Sequence, residues 1–135
     1  MVMTSPTIEN VVEVRDIRNQ FGTQVVHQHL NLDLHRKEIL SIVGSSGSGK
    51  SVLLRTIIGL NHPASGTVKV LGDDLFSAPP DERMRIQEKF GVLFQQGALF
   101  TSLTVAENVE LPLIEHAGLT REEAAEIAKL KIGLV

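Results

Sequence analysis

A glycine-rich loop between an apolar run and a helical pattern constrains the fold of this chain more than any other feature. The apolar run EILSIVG (38–44) leads into the loop GSSGSGKS (44–51), which fits the pattern G-x-x-x-x-G-K-[ST] at every position. A short, nearly continuous apolar run predicts a strand that is buried on both faces. A helical pattern follows and ends at Gly59; its apolar positions are Leu53, Leu54, Ile57 and Ile58.

The residue types of this loop suit a chain of phosphates. Glycine turns tightly without a side chain in the way, and the N–H groups of residues 46–51 can point inward as an anion-binding nest. We expect Lys50 to reach the β- and γ-phosphates and the Ser51 hydroxyl to ligate Mg²⁺. A glycine-serine loop that binds nothing is the alternative, but the strand before the loop and the helix after it disfavour that interpretation. The predicted nucleotide-binding residues in this segment are Gly44, Ser45, Ser46, Gly47, Ser48, Gly49, Lys50, Ser51 and Val52.

The composition excludes several classes of protein. The 135 residues are enough for one small domain, and 42% hydrophobic with 21% charged residues is a globular balance. The net charge of −3 argues against nucleic-acid binding by charge. Without cysteine there is neither a disulfide nor a thiolate zinc site, which suits a reducing compartment. No apolar run reaches the ~18–20 residues of a membrane span, and the start MVMTSPTIEN does not resemble a signal peptide, so we do not expect export.

Alternating patterns predict a β layer before the loop. Residues 8–17 and 30–35 are the first two predicted strands, with a turn at 19–24 between them. The second strand should bury one face, which carries Leu30, Leu32 and Leu34. A strand followed by a turn is predicted at 65–75, and a further buried strand at 91–96.

Helix-start signals predict three helices in the second half of the chain. Two prolines and an acidic first turn place a helix start near Asp81. Two capping boxes, Thr104 with Glu107 and Thr120 with Glu123, should each open a further helix. We expect Pro112 to interrupt the first of these helices and Gly118 to separate the two. The second, over 121–131, should turn Ala124, Ile127, Ala128 and Lys131 to one side.

The order of these segments resembles that of the ATPase subunits of ATP-binding cassette (ABC) transporters. Phe21-Gly22, 29 residues before Lys50, matches the A-loop of the family, and LLRTIIGLNHPASGTVKVLGDDL resembles its P-loop helix and next strand. GVLFQQGALFTSLTVAENVELPL (91–113) resembles the Q-loop region. The resemblance implies an α/β fold: a P-loop NTPase (RecA-like) core with an N-terminal antiparallel β layer and the start of an α-helical subdomain.

The resemblance also assigns roles to residues outside the P-loop. Phe21 would stack on adenine, where many relatives have tyrosine; the alternatives are an exposed turn residue or a core filler. Gln95 would be the Q-loop glutamine, which approaches Mg²⁺ and the attacking water; the alternative is a polar residue at a strand end. The residues alone do not distinguish Gln95 from Gln96. On this basis Lys50 and Gln95 are the predicted catalytic residues, and Ser51 and Gln95 the predicted Mg²⁺ ligands.

Within the family, two segments are most similar to the Mla-type or toluene-tolerance branch of lipid transporters. They are GKSVLLRTIIGL and VLFQQGALFTSLTVAENVELPL. The resemblance implies ATP and Mg²⁺ as cofactors, a second ATPase subunit in a homodimer, and a membrane permease subunit that contacts the region after Gln95. It further implies peripheral attachment, through these partners, to the cytoplasmic face of the inner membrane. No nucleic-acid partner is implied.

Three motifs of the family do not occur in this sequence: the LSGGQ-type signature, the Walker B run and the switch histidine. We therefore expect residues 1–135 to be the truncated, N-terminal portion of one ABC ATPase domain. Residues 1–94 would form the β layer and P-loop core, and residues 95–135 the Q-loop and the beginning of the helical subdomain. Such a chain would bind ATP without hydrolysing it efficiently. Its apolar strand 38–43 would lack a neighbour and would be an aggregation-prone edge.

Other functions stay open at this point. A soluble ABC-type ATPase of translation or DNA repair, or a nucleotide-binding module without turnover, would share the P-loop; a P-loop kinase is a weaker alternative. His27 and His29 form an H-x-H pattern, but alternation places them opposite Leu30, so a solvated face is favoured over a metal site. The apolar segment 98–113 is either core and an amphipathic helix, or the border of the groove that holds the permease's coupling helix.

Overall fold

The computed structural model describes residues 9–95 and 97–135, so residue 8 of the predicted first strand and Gln96 lie outside the described residues. The chain divides into two compact units, one up to Gly91 and one from Val92. The first unit contains β1 (Asn10–Phe21), β2 (Gln24–His35), α1 (Lys50–Ile57), β3 (Ser65–Val70), β4 (Asp73–Asp74) and α2 (Pro80–Gln87). The second contains α3 (Val105–Glu115) and α4 (Arg121–Ile132). No helix within the described ranges has the length and apolarity that crossing a membrane requires.

The strands of the first unit form one antiparallel sheet in the order β2-β1-β3-β4. This confirms the predicted antiparallel layer. The turn between β1 and β2 is shorter than predicted, because Phe21 already pairs with Gln24. Gly22, at φ 56°, supplies the left-handed conformation that so tight a turn needs. The strands therefore extend through most of the predicted turn.

One face of this sheet packs against α1 and α2. The predicted apolar face of β2 is confirmed, since Leu30, Leu32 and Leu34 are half-buried against the core. Burying one such side chain fully contributes about 1.5–3 kcal/mol. The core residues are Val12, Val14, Ile17, Leu53, Ile57, Val68, Val70, Leu75 and Ile86.

The predicted end of α1 at Gly59 is confirmed and has a specific geometry. Gly59 has φ 79°, and its N–H donates to the Thr56 carbonyl at 3.1 Å. The Leu60 N–H donates to the Arg55 carbonyl at 2.8 Å. These two bonds form a Schellman motif, which satisfies carbonyls that the last helical turn leaves free.

The two apolar runs predicted as buried strands, 38–44 and 91–96, are not strands where the structure describes them. Ile39 is 95% exposed, Val43 88% and Leu93 95%. A strand needs backbone partners on a neighbouring strand. The four described strands pair among themselves, and neither run is paired with any of them. Apolar composition predicts burial of these runs, but it does not specify the partner strand that strand formation requires.

Both predicted capping boxes are confirmed in the second unit. The Thr104 hydroxyl accepts from the Glu107 N–H at 3.2 Å, and the Thr104 N–H donates to the Glu107 carboxylate at 2.7 Å. Thr120 and Glu123 repeat the arrangement at 3.3 and 2.9 Å. The backbone N–H of Thr120 holds the pKa of Glu123 below its usual value. This cap is therefore present at neutral pH and is lost as the pH falls through that lowered pKa.

The prediction that Pro112 interrupts the first of these helices is wrong. Pro112 lies inside α3, which continues to Glu115. Proline removes one N–H donor from the helix, but the ladder resumes when the His116 N–H donates to the Pro112 carbonyl at 3.0 Å. Of the four residues predicted to share one side of α4, Ala124 and Ala128 are buried, Ile127 is half-buried and Lys131 is exposed.

We predict that Thr120→Ala lowers the free energy of unfolding by about 1 kcal/mol, because it removes the acceptor of the Glu123 N–H. Urea unfolding followed by circular dichroism would measure the loss. Thr101→Ala is the matched control, because Thr101 is exposed and precedes α3 without capping it. Equal unfolding free energies for the two variants would contradict the capping role.

We also predict that Ile39→Lys reduces self-association of the chain. An exposed apolar segment with unpaired backbone groups is a template for strand pairing between molecules, and a charge there opposes it. Sedimentation equilibrium over a range of concentrations would measure the effect. Leu130→Lys on α4 is the control, since Leu130 is an exposed leucine on a helix rather than on an extended run. An Ile39→Lys variant that associates as strongly as the parent would refute the interpretation that the exposed segment 38–43 promotes self-association.

Candidate nucleotide-binding site

Each glycine of the loop is required either by its backbone conformation or by a lack of space for a side chain. Gly47 has φ 79° and Gly49 φ 93°, a left-handed conformation that side chains rarely adopt. Gly44 is constrained by space instead, because a Cβ there would lie 2.7 Å from the Ser48 hydroxyl oxygen. The loop can therefore turn back on itself, and the Ser48 N–H donates to the Ser45 carbonyl at 3.3 Å within that turn.

The ammonium group of Lys50 forms hydrogen bonds with residues at the beginning and in the middle of the loop. Its Nζ donates to the carbonyls of Gly44 at 2.8 Å and Ser45 at 2.6 Å, and to the Ser48 hydroxyl at 3.3 Å. Charge-assisted bonds of this kind are stronger than neutral ones. A positive charge is thus held beside the backbone of the loop.

Helix α1 begins in the loop without a side-chain cap. Gly49 is its N-cap residue, no side chain accepts from its first turn, and that turn contains no acidic residue. The first N–H groups of a helix have no acceptor within the helix, and the dipole places positive charge there. Thr104 and Thr120 cap α3 and α4, whereas no side chain caps α1. The first N–H groups of α1 can therefore donate to an anion. The exposed Ser51 follows Lys50 in this turn and can offer a hydroxyl oxygen to a cation.

A group of buried polar side chains joins the sheet to the C-terminal end of α1. Asn19 and Thr56 are 1% and 0% exposed. The Asn19 amide oxygen lies 3.1 Å from Asn61 Nδ2 and 3.2 Å from the Thr56 hydroxyl, and its Nδ2 lies 3.1 Å from His27 Nδ1. These contacts join β1, β2 and the end of α1.

The expectation of a solvated face is wrong for His27 and correct for His29. His27 is half-buried and bonded to Asn19, whereas His29 is exposed and paired with Asp16 at 2.5 Å. The β1–β2 register shifts at several points, so the alternation of faces is not continuous along β2. His35 has its own partner, Asn10, at 2.6 Å, so these three histidines do not converge on one point.

The two predicted site residues outside the P-loop are both exposed. Phe21 ends β1 and is 50% exposed, which excludes a role as core filler. Alternation along β1 turns it to the side of Asn19, about 6–7 Å further along the strand. Gln95 lies in a turn of the second unit. Adenine stacking by Phe21 and Mg²⁺ ligation by Gln95 stay predictions.

Known proteins match most of the chain. The profile of the ABC transporter family matches residues 27–134. A probable ribonucleotide transport ATP-binding protein, mkl, of Mycobacterium leprae is 36% identical over 92% of this chain and 36% of its own length. The intermembrane phospholipid transport system ATP-binding protein MlaF of Haemophilus influenzae is 33% identical over 94% of this chain and 48% of its own.

A solved structure extends the match to the fold. It is a dimeric ATP-binding cassette in a post-hydrolysis state, bound to ADP and Pi, with a TM-score of 0.77 and 34% identity over 87% of this chain and 53% of the other. The present chain spans about a third to a half of the length of the curated relatives it matches. With the P-loop geometry, the family match over residues 27–134 and this fold in agreement, the chain belongs to the ABC transporter ATP-binding family.

Proposed function

We propose that this chain binds Mg-ATP through its P-loop as part of an ATPase subunit of an ABC transporter. The observation that carries the proposal is the convergence of the Lys50 ammonium with the uncapped start of α1 on one loop. A fixed cation, free N–H donors and a helix dipole together favour a multiply charged anion such as a triphosphate.

The chemistry of the residues present fits both ATP and Mg²⁺. Lys50 and the N–H groups of residues 46–51 would hold the β- and γ-phosphates, and Phe21 would cover the adenine. Ser51 and Gln95 would supply oxygen ligands to Mg²⁺, which neutralises charge on the phosphate oxygens when bound. Hydrolysis needs in addition a general base and a second phosphate clamp. In the family these come from the Walker B glutamate and the signature motif of the partner subunit, so we propose that residues 1–135 contribute nucleotide binding and that the chemical step needs those further groups.

We further propose that the transported substrate is a phospholipid or another hydrophobic compound. The support is the likeness of GKSVLLRTIIGL and VLFQQGALFTSLTVAENVELPL to the Mla-type branch, together with the 33% identity to MlaF. The other relative is named for ribonucleotides, so identity alone does not separate the two substrates.

The proposed partners are a second ATPase subunit and a membrane permease. The dimeric cassette of similar fold supports the first. For the second, the unit after Val92 carries an open groove of about 320 Å³, formed in part by Leu99, Phe100, Leu111 and Pro112. Leu99 and Phe100 are exposed apolar side chains that a helix of the permease would cover. Through these partners the subunit would lie at the cytoplasmic face of the inner membrane.

We predict that Lys50→Ala weakens Mg-ATP binding about 10- to 100-fold, since bonds to a charged group are worth roughly 1.5–3 kcal/mol. Isothermal titration calorimetry would measure the affinity, with phosphate release followed in parallel. Lys89→Ala is the matched control, because Lys89 is a surface lysine whose partner is Asp73. If Lys50→Ala binds Mg-ATP as tightly as Lys89→Ala, the P-loop is not the nucleotide site.

We predict that Phe21→Ala weakens ATP binding about 5- to 100-fold and leaves the binding of inorganic tripolyphosphate unchanged. Stacking on a base is worth roughly 1–3 kcal/mol, and tripolyphosphate has no base. Competition titrations with both ligands would separate the two contributions. Phe21→Tyr keeps the ring and should bind ATP as the parent does. Equal losses for ATP and tripolyphosphate would argue against stacking.

A further inference from the structure

The last glycine of the P-loop is covered by two consecutive residues of β2. A Cβ added at Gly49 would lie 2.6 Å from His27 Nε2 and 2.7 Å from Val26 Cγ1. Consecutive residues of a regular strand point to opposite faces. Here Asn19 pairs with His27 and Gln20 with Val25, so Val26 is an extra residue in the ladder. This β-bulge allows both side chains to approach Gly49.

The hydrogen bonds of Asn19 determine which nitrogen of His27 carries the proton. The Asn19 amide oxygen accepts from Asn61 Nδ2 at 3.1 Å and also faces the Thr56 hydroxyl. Asn19 Nδ2 is therefore turned toward His27 Nδ1, at 3.1 Å. An amide nitrogen only donates, so Nδ1 accepts and the ring proton is on Nε2, the nitrogen beside Gly49. Burial lowers the pKa of His27, which favours this neutral ring.

Gly49 needs a restraint from outside itself. It adopts φ 93° and is the N-cap of α1, so its conformation sets the direction of the first N–H groups of the helix. Glycine reaches this conformation easily but also leaves it easily, since it lacks a Cβ. The ring of His27 lies against the one face of Gly49 that a side chain would otherwise occupy.

We propose that His27 is a positioning residue for nucleotide binding: held by Asn19, its neutral ring restrains Gly49 and so aims the start of α1 at the phosphates. The proposal rests on the proposed function, because it requires the P-loop to be the nucleotide site. His27 acts through Gly49, and a role in the chemical step is not part of the proposal.

Titration of Mg-ADP into the full chain and its variants tests this role. His27→Ala removes the ring nitrogen that accepts from Asn19 Nδ2 and also the contact with Gly49. We expect this variant to bind Mg-ADP about tenfold more weakly than the parent. His27→Gln replaces the ring with a polar side chain long enough to reach Gly49 and should recover part of the affinity. Leu32→Ala is the stability control, since Leu32 packs on the core from the same strand; it should unfold more easily yet bind as the parent does.

The ring nitrogens of His27 provide a readout that loss of stability alone would not change. In ¹⁵N NMR of histidine-labelled protein, Nδ1 should have the shift of an acceptor, and the Nε2 signal should move when Mg-ADP is added. If His27→Ala fails to fold, this spectrum of the parent still decides: a proton on Nδ1, or no response to Mg-ADP, overturns the proposal.

The outcomes separate this proposal from the proposed function. If Lys50→Ala binds Mg-ADP more weakly than the parent and His27→Ala binds it like the parent, His27 has no positioning role while the P-loop remains the site. If the parent itself does not bind Mg-ADP, the proposed function is wrong and the role of His27 falls with it. Weakening in His27→Ala that Leu32→Ala does not share supports the proposal.

Discussion

The hydrogen bonds between Asn19 and the end of α1 fix the geometry on which the phosphate site depends. Asn19 comes from β1, and Thr56 and Asn61 come from the last turn of α1 and the segment after it. Buried polar groups are costly unless they are paired, so these three side chains tolerate few other arrangements of helix and sheet. The opposite end of the same helix is the start of the phosphate site. A constraint at the C-terminal end of α1 thus positions the N–H donors at its N-terminal end.

The phosphate site combines two features that are costly for an isolated helix and loop. Gly47 and Gly49 hold left-handed conformations, and α1 begins without a cap. The helices of the second unit, by contrast, begin with complete capping boxes. Such departures from local preference persist where surrounding contacts offset their cost. Here the support comes from Val26 and His27, which cover Gly49 from the strand behind it.

Features that depend on neighbouring residues could be predicted from the sequence, and features that depend on distant partners could not. The capping boxes and the glycine stop of α1 are closed by residues a few positions apart, and both are confirmed. Apolar character alone predicts strands at 38–44 and 91–96, but strand formation requires a partner strand that no local pattern specifies. Regular alternation of faces through β2 predicts a solvated face for His27. The extra residue in β2 shifts the alternation of faces by one position, and the composition of β2 does not indicate where such a residue lies.

The groups proposed to bind phosphate carry little information about the substrate of the proposed transporter. A lysine ammonium, backbone N–H groups and a helix dipole recognise charge and shape that every nucleotide triphosphate shares. Relatives named for ribonucleotide and for phospholipid transport accordingly match this chain at similar identity, 36% and 33%. In the proposed transporter, fold and nucleotide site would therefore define the energy source rather than the cargo. In the proposed transporter, selectivity would be conveyed by surfaces that meet the permease, and the exposed apolar side chains Leu99 and Phe100 are the ones we propose for that contact.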